Sequence, residues 1–358
     1  MNKTLKTLQQ TSPFLRACRG LPTDYTPIWL MRQAGRYMPE YRAIRAQHSM
    51  LDVIGTPELA AAVTLQPIDA FGMDAAIIFS DILPPLIGMG FNLEFAKGEG
   101  PVIHNPITSP EDVAALRTPP AEENMGATLA AIRLVTAELT PRGIPLIGFA
   151  GAPFTLASYA VEGGGSKTYS KTKALMYTAP QAWDELMRKL VTVQVDYLRQ
   201  QVAAGASALQ VFDSWAGLAL GLQDYVRYVQ PYNKRLFAEL AHTGVPVINF
   251  STGTAVYLDQ VAACGGDVMG LDWRLPLDMA WQRVGLDKPA QGNLDPVALL
   301  TEWPELQERV DDVLARAAKV RAGGGAPHIF NLGHGIFPNT PVDNVRRLID
   351  YVHEATAR

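Results

Sequence analysis

Eight short apolar segments are spaced along the chain, and they constrain its fold more than any other feature of the sequence. The segments are residues 27–31, 75–79, 145–149, 208–212, 246–250, 268–272, 289–292 and 328–332. Each is almost continuously apolar, whereas a strand with one solvated face would alternate apolar and polar residues. The segments therefore predict eight parallel strands that are buried on both faces.

Helical patterns lie between these segments. In residues 183–197 and 303–317 the apolar side chains recur every three or four positions, which is the period of an amphipathic helix. Further helices are predicted over residues 57–71, 122–139, 221–240, 254–263, 276–284 and 341–355. This alternation favours an α/β fold of the TIM type, a (β/α)8 barrel, over an open doubly wound sheet.

The chain has 358 residues, which a barrel of this kind reaches without a second domain. We therefore predict that residues 1–358 form one (β/α)8-barrel domain. Residues 83–120 follow the second predicted strand, are rich in proline and glycine, and are too long for a simple strand-to-helix connection. We expect an extended loop, a small hairpin or a flap there.

Charge and composition argue against several classes of protein. The net charge is -4, whereas a nucleic-acid-binding protein usually carries a broad basic surface. No apolar run approaches the roughly 20 residues that cross a membrane, and residues 1–14 do not resemble a signal sequence. The only two cysteines, Cys18 and Cys264, lack the spacing of a disulfide framework or a zinc site. We therefore expect a cytoplasmic protein with no membrane or nucleic-acid partner.

The residues that directly follow the predicted strands are candidates for an active site, because TIM barrels place their chemistry at the carboxyl ends of the strands. These residues are unusually polar. They are Arg32, Gln33, Ala34, Gly35 and Arg36 after the first strand, Asp81 after the second, Tyr159 beyond the third, Ser214 after the fourth and His334 after the eighth. In a closed barrel they would converge on one opening.

Arg32 and Arg36 are four residues apart, which places both guanidinium groups on one side of a helical turn, and Arg42 and Arg45 follow. Guanidinium groups bind carboxylates through two parallel hydrogen bonds and stay charged at neutral pH. The two arginines form either a carboxylate-binding site or a solvated basic surface.

The other polar candidates also have two interpretations. Asp81 ends an apolar run, so its carboxylate is either functional or the N-cap of a helix that begins at Ile82. His334 lies between two glycines and is either structural or catalytic. Tyr159 is either a hydrogen-bond donor to a ligand or a core aromatic residue.

Several familiar motifs are missing from the sequence. It contains no GxSxG, HExxH, EF-hand loop, P-loop or GxGxxG motif. Hydrolases, metalloproteases and dinucleotide-binding enzymes therefore lose support. The residues themselves indicate a barrel enzyme that acts on a polycarboxylate without a metal or an organic cofactor.

Several segments together resemble the signatures of the uroporphyrinogen decarboxylase family. The stretch PIWLMRQAGRYMPEYR, residues 27–42, is similar to the family's N-terminal motif nearly residue for residue. Four further stretches match in family order: FSDIL at 79–83, GFAGAPFTL at 148–156 with EGG at 162–164, FDSWAG at 212–217 and FNLGHGI at 330–336. The resemblance covers almost the whole chain.

The resemblance implies a homodimeric barrel in haem and chlorophyll biosynthesis. Such an enzyme removes four acetate carboxyl groups from uroporphyrinogen III and gives coproporphyrinogen III, with no cofactor. By position, the resemblance implies that Arg32, Gln33, Ala34, Gly35 and Arg36 bind this porphyrinogen substrate, that Asp81 reaches the pyrrole nitrogens, and that Tyr159, Ser214 and His334 complete the pocket. Some relatives carry threonine at the place of Ser214, and either hydroxyl can donate to a carboxylate.

The resemblance also suggests roles in catalysis. A pyrrole ring can act as its own electron sink, so Asp81 would stabilise the positive charge that forms when the ring is protonated. The proton donor would be Arg32, or else Arg45, although a guanidinium is a poor acid near neutral pH.

Two other functions are possible for a barrel of this kind. A zinc-dependent methyltransferase on a similar barrel would need histidine and cysteine ligands after a central strand, and residues 249–253, NFSTG, supply neither. A noncatalytic tetrapyrrole-binding protein would keep the pocket without turnover, and the presence of both Asp81 and Arg32 argues against it.

Overall fold

The computed structural model describes residues 3–96 and 100–358. It contains nine strands in the described part of the chain: β1 Ala76–Ile77, β2 Leu93–Ala96, β3 Gly100–Ile103, β4 Leu146–Gly151, β5 Ala208–Asp213, β6 Val247–Ser251, β7 Val268–Gly270, β8 Ala290–Leu294 and β9 His328–Leu332. Seven of them form a curled parallel sheet in the order β1-β4-β5-β6-β7-β8-β9. Helices follow these strands, as in a TIM-type α/β fold.

The described residues also form α-helices, which follow one another along the chain. They are Lys3–Thr11, Pro13–Cys18, Pro39–Gln47, Met50–Gly55, Pro57–Phe71, Pro85–Met89, Pro110–Ala115, Ala121–Asn124, Gly126–Leu139, Pro153–Glu162, Ser170–Thr178, Pro180–Ala204, Ala216–Ala219, Leu222–Tyr228, Gln230–Leu240, Leu258–Ala262, Leu277–Val284, Trp303–Ala322 and Val342–Thr356. Short 3-10 turns cover Thr140–Arg142, Ala255–Tyr257 and Pro296–Leu300.

Most predicted elements are present with shifted ends. Seven of the eight predicted strands are strands of the sheet, and the predicted helix at residues 57–71 has those bounds. Two long predicted helices are each divided in two. The break in 122–139 falls at Met125 and the break in 221–240 at Val229, where the backbone leaves the helical region.

The predicted strand at residues 27–31 is not a regular strand, which corrects the eight-strand prediction. Ile28 makes a single parallel bridge to Phe330, and the segment forms no longer ladder. The Phe330 N–H donates to the Pro27 carbonyl at 2.8 Å, and the Asp74 N–H donates to the Ile28 carbonyl at 2.9 Å. The segment therefore lies between β9 and the start of β1, with few backbone bonds to either.

Buried side-chain amides provide the missing bonds at this seam. The Met31 N–H donates to Asn331 Oδ1 at 3.0 Å. Gln33 is fully buried, accepts from the Leu30 N–H at 3.1 Å and donates to the Ala75 carbonyl at 3.1 Å. On the β1 side Gln33 thus both accepts and donates, whereas on the β9 side Asn331 accepts from the segment through its Oδ1.

The inside of the curled sheet is filled from its amino-terminal end. Phe14 and Leu15 of helix Pro13–Cys18 are fully buried, and they pack in one cluster with Trp29 of the segment at residues 27–31 and with Ile147 and Ile329 of the sheet. Ser12 caps this helix by accepting from the Leu15 N–H. The helix therefore closes one end of the sheet and leaves the carboxyl end open to solvent.

Residues 83–120 contain a small antiparallel pair. Strand β2 pairs with β3, with Leu93 opposite Ile103, and the residues that join them lie outside the described residues. The Ile103 N–H donates to the Gly163 carbonyl at 2.8 Å, so the pair packs against the glycine-rich loop after helix Pro153–Glu162. No helix in the described ranges is long and apolar enough to cross a membrane.

We predict that Gln33→Leu lowers the free energy of unfolding by about 3 kcal/mol, because it leaves a buried N–H and a buried carbonyl without partners. The exposed Gln181 gives the control, Gln181→Leu, which should change stability by less than about 0.5 kcal/mol. Urea denaturation of both variants measures the difference. Equal midpoints would show that Gln33 does not hold the seam together.

Candidate active site

Arg32 stands on a tight turn at the open end of the sheet. The Gln33 N–H donates to the Leu30 carbonyl at 2.9 Å, and Arg32 occupies the third position of this turn with a φ of 63°. That position normally takes glycine or asparagine, because a Cβ is strained there. Among the described non-glycine residues, only Arg32 and Tyr169 have a positive φ. Such strain often marks a functional position.

Two glycines make room for this arginine. A Cβ placed on Gly335 would lie 2.4 Å from Cδ of Arg32, and one on Gly35 would lie 2.9 Å from the Arg32 carbonyl oxygen. Gly335, which follows His334, therefore has no room for a side chain, because the Arg32 side chain crosses it. The loops after residue 31 and after β9 meet at this point.

The four arginines of the first segment have different environments. Arg42 donates to the carbonyls of Arg36 and Tyr37, and Arg45 donates to the His48 carbonyl at 2.5 Å. Arg42 and Arg45 are thus bound to the backbone of their own segment. Arg32 and Arg36 are exposed.

Asp81 is partly buried just beyond β1. Its Oδ1 accepts from the Leu83 N–H at 2.9 Å, which forms a local turn. The next helix begins at Pro85, so the interpretation of Asp81 as a helix N-cap is wrong. Burial raises the pKa of Asp81, while the Leu83 N–H and the positive charge of Arg32 oppose that rise.

Tyr159 lies in an aromatic stack. Its ring centroid is 3.8 Å from that of Trp215, and Tyr169 contacts the other edge of Trp215 at 5.3 Å. Burial raises the pKa of Tyr159, and the negative charge of Asp81 raises it further. The Tyr159 hydroxyl therefore stays protonated at neutral pH and can donate a hydrogen bond.

Ser214 is positioned by a buried carboxylate. Thr155 donates to Asp213 Oδ1 at 2.9 Å and accepts from the Ser214 N–H at 3.0 Å. Burial raises the pKa of Asp213, which the hydrogen bonds from Thr155 and the Ala216 N–H counteract. This network fixes the backbone of Ser214 and leaves its side chain partly exposed.

His334 is partly buried on the loop after β9. Burial lowers its pKa, and the positive charges of Arg32 and Arg274 lower it further. The imidazole is therefore neutral at neutral pH. Its ring makes an edge contact with Trp273, with centroids 6.2 Å apart.

An aromatic surface forms the base of the opening. Phe212 is partly exposed at the end of β5, and its ring makes edge contacts with Phe149 at 5.6 Å and Phe250 at 5.7 Å. A flat apolar ligand could lie on such a surface.

The structure brings four predicted site residues within electrostatic range of each other. The charge of Arg32 acts on the pKa values of Asp81, Tyr159 and His334. Gln33 differs from them: its side chain is fully buried and both amide atoms bond to the backbone, so it is not available to a ligand. Ala34 and Gly35 are partly buried within the turn, and Arg36 lies at its exposed side.

The sequence analysis did not identify Trp273 and Arg274. They follow β7, and the carboxyl ends of the strands are where TIM barrels place their active-site residues. The predicted strand at residues 268–272 ends at Asp272, whereas β7 ends at Gly270. An aromatic residue and an arginine directly after a buried strand were the available signal.

Within the described residues, no three His, Cys, Asp or Glu side chains are grouped so that they could hold a metal ion. The site instead offers one partly buried carboxylate, exposed guanidinium groups, a neutral imidazole and an aromatic base. Such a set can bind a flat ligand whose centre carries N–H groups and whose edge carries carboxylates.

Comparison with known proteins identifies one family. The model of the family described as uroporphyrinogen decarboxylase (URO-D) matches residues 9–355. A uroporphyrinogen decarboxylase of Roseiflexus sp. is 56% identical over 351 residues, which are 97% of this chain and 99% of the relative. A uroporphyrinogen decarboxylase of Carboxydothermus hydrogenoformans is 54% identical over 344 residues, which are 96% of this chain and 96% of the relative.

Two solved structures share the fold at low identity. A methyltransferase from Methanosarcina mazei superposes with a TM-score of 0.74 at 19% identity and covers 99% of both chains. A B12-independent methionine synthase from Shewanella sp. superposes with a TM-score of 0.56 at 9% identity, over 93% of this chain and 97% of the other. At such identities the likeness concerns the fold alone.

We predict that Arg32→Gly is about 1 kcal/mol more stable than Arg32→Ala, because glycine relieves the strain of a positive φ that alanine keeps. Thermal unfolding of the two variants measures this difference. Arg309 has an exposed side chain within a helix, so Arg309→Gly and Arg309→Ala give the control pair with the opposite order. An alanine variant at position 32 as stable as the glycine variant would mean that the turn is not strained.

Proposed function

The chain belongs to the uroporphyrinogen decarboxylase family, and we propose that its active site is the group formed by Arg32, Asp81 and His334. The activity is that of a cofactor-independent carboxy-lyase in haem biosynthesis. It converts uroporphyrinogen III to coproporphyrinogen III and removes four acetate carboxyl groups as carbon dioxide. The observation that carries the site assignment is the partly buried Asp81 carboxylate within electrostatic range of the exposed guanidinium of Arg32.

Substrate binding begins at Asp81 in this proposal. The four pyrrole N–H groups of a porphyrinogen can converge on one acceptor, and a carboxylate accepts several hydrogen bonds at once. The ring system then lies on the exposed face of Phe212. This arrangement directs the acetate and propionate side chains outward to the polar residues at the edge.

The chemistry needs stabilisation of a positive charge. Protonation of a pyrrole ring carbon gives a cation, the carbon–carboxyl bond breaks, carbon dioxide leaves, and the bonding electrons neutralise the ring. The exocyclic carbon is then protonated and becomes a methyl group, and the ring carbon releases the proton that it took up, which restores the neutral pyrrole. A fixed carboxylate at the pyrrole nitrogens lowers the energy of that cation, as oxyanion-hole donors do for a developing negative charge.

Arg32 is the proposed proton donor, and the environment of Arg45 supports this choice. Arg45 bonds to the His48 carbonyl, whereas Arg32 is exposed at the opening and acts electrostatically on Asp81. A guanidinium is a weak acid, so the proton passes through a water held by Arg32 in this proposal. His334 is neutral and serves as a hydrogen-bonding group.

The remaining predicted residues bind the edge of the substrate. Arg36 pairs with a carboxylate, while Tyr159 and Ser214 donate from hydroxyl groups, and Ala34 and Gly35 contribute the turn between the two arginines. Gln33 acts indirectly, because its buried amide holds the backbone on which Arg32 stands.

We also propose that the sheet closes as a (β/α)8 barrel. Residues 27–31 would be its eighth strand position, between β9 and β1. Support comes from the bonds that this segment makes to both neighbours, through the carbonyls of Pro27 and Ile28. The β2–β3 pair would be an insertion after β1.

A homodimer in the cytoplasm is the proposed working form. Val256 and Met279 are apolar yet 79% and 51% exposed, which is the kind of surface that a second subunit covers. The two lie near each other, since Arg283 of the same helix as Met279 donates to the Ala255 carbonyl. Cys18 and Cys264 are buried free thiols, and a reducing compartment such as the cytoplasm would keep them so.

Analytical ultracentrifugation should give twice the 38.9 kDa mass of one chain. The dimer should persist in 0.5 M salt, because apolar contacts are not screened by ions. A single species of monomer mass at micromolar concentration would contradict the proposed homodimer.

Asp81→Asn should lower turnover of uroporphyrinogen by on the order of 10², since the variant keeps the shape of the side chain and loses its charge. Asp81→Glu should regain only part of the rate, because the carboxylate moves by one methylene. The exposed Asp343 gives the control, Asp343→Asn, with wild-type turnover. A folded Asp81→Asn variant with near wild-type turnover would exclude the proposed mechanism.

The same residue sets a pH dependence. The pKa of Asp81 is raised, and the ionised form is the active one, so activity is full above that pKa and is lost as the pH falls through it. The acid limb of the rate should therefore lie above the ordinary pKa of an aspartate, about 3.9.

A further inference from the structure

A second guanidinium group stands at the opening, on the loop after β7. The positive charges of Arg274 and Arg32 both lower the pKa of His334. The imidazole is therefore close to a guanidinium group on each of two loops. Arg274 is not part of the sequence motifs that identify the family. Its environment is therefore the evidence for a role.

The side chain of Arg274 is held in one direction. Its Nη1 donates to Asp272 Oδ2 at 2.6 Å, and its guanidinium lies 4.3 Å from the ring centre of Trp273. A charge-assisted bond on one side and an aromatic face on the other restrict the rotamers of an arginine. The group is thus preorganised before any ligand arrives.

The loop that carries Arg274 is fixed by its neighbours. Asn293 donates to the carbonyls of Asp272 and Leu275 at 2.9 and 2.8 Å, and the Gly253 N–H donates to Asp272 Oδ2 at 2.6 Å. A Cβ on Gly333 would lie 2.4 Å from the backbone nitrogen of Trp273. The backbone just before His334 therefore packs directly against the loop that carries Arg274. These contacts hold the loop without the guanidinium.

The ion pair with Asp272 does not use the whole binding capacity of Arg274. The Asp272 side chain is 7% exposed, and it also accepts from two backbone N–H groups, those of Gly253 and Arg274. The Arg274 side chain is 37% exposed, and only one of its five N–H donors bonds to Asp272. The remaining donors can bind an anion.

We propose that Arg274 is a further substrate-binding residue, which binds a peripheral carboxylate of the porphyrinogen at the loop after β7. This inference rests on the proposed function. The substrate carries acetate and propionate groups around its whole edge, and Arg32 and Arg36 stand on one loop only. A guanidinium on the loop after β7 supplies a binding group for a carboxylate at a different part of that edge.

Turnover of uroporphyrinogen by Arg274→Ala tests the proposal. A carboxylate contact exists in the ground state and in the transition state, so KM should rise roughly 10-fold to 100-fold while kcat stays within about twofold. The slope of log KM against log salt concentration should become shallower, because one charge contact is lost. Arg274→Lys keeps the positive charge but cannot donate two parallel hydrogen bonds to one carboxylate, so it should give an intermediate KM.

Arg309→Ala is the matched control, since Arg309 pairs with Glu305 on the surface of helix Trp303–Ala322. It should leave KM, kcat and the salt slope unchanged. A wild-type KM in Arg274→Ala would overturn the proposal, and so would a parallel fall of kcat and thermal stability with an unchanged salt slope. Failure of the wild-type chain to release carbon dioxide would instead reject the proposed function, whatever Arg274 does.

Discussion

The seam between β9 and β1 is held by two buried amide side chains, and the open end of the sheet depends on them. Gln33 joins the backbone of Leu30 to that of Ala75, and Asn331 binds the Met31 N–H. Arg32 stands between these two anchors, in a backbone conformation that is strained for a residue with a Cβ. Structure at the seam and chemistry at the opening are therefore parts of one arrangement.

The electrostatics of the site follow from its partial burial. The whole chain carries a net charge of -4, yet exposed guanidinium groups face the opening. Burial raises the pKa of Asp81 and lowers that of His334, and in both cases it disfavours the charged form. Arg32 opposes the first shift and adds to the second. One arginine thus favours an ionised carboxylate and a neutral imidazole side by side.

Sequence patterns predicted the sheet well because its strands are buried on both faces. The pattern was wrong at residues 27–31, which are just as apolar, because side-chain amides at positions 33 and 331 replace the ladder and periodicity does not reveal such bonds. Among the site residues, Arg32, Asp81, Tyr159 and His334 share one electrostatic environment. Gln33 belongs to the same motif, yet its amide faces the backbone, and only coordinates distinguish these two uses. Arg274 lies outside the motifs that carry the family resemblance, so the sequence did not single it out.

The helix that fills the amino-terminal end of the sheet also bears on how the chain folds. Phe14 and Leu15 pack in one cluster with Ile329, so residues near opposite ends of the chain complete the same core. A chain that emerges from the ribosome exposes Phe14 early, and its last partners arrive only when β9 has been made. Contacts of such high sequence separation slow folding and leave apolar surface uncovered in the meantime. Stable packing of this end of the molecule must therefore occur largely after β9 has been synthesised.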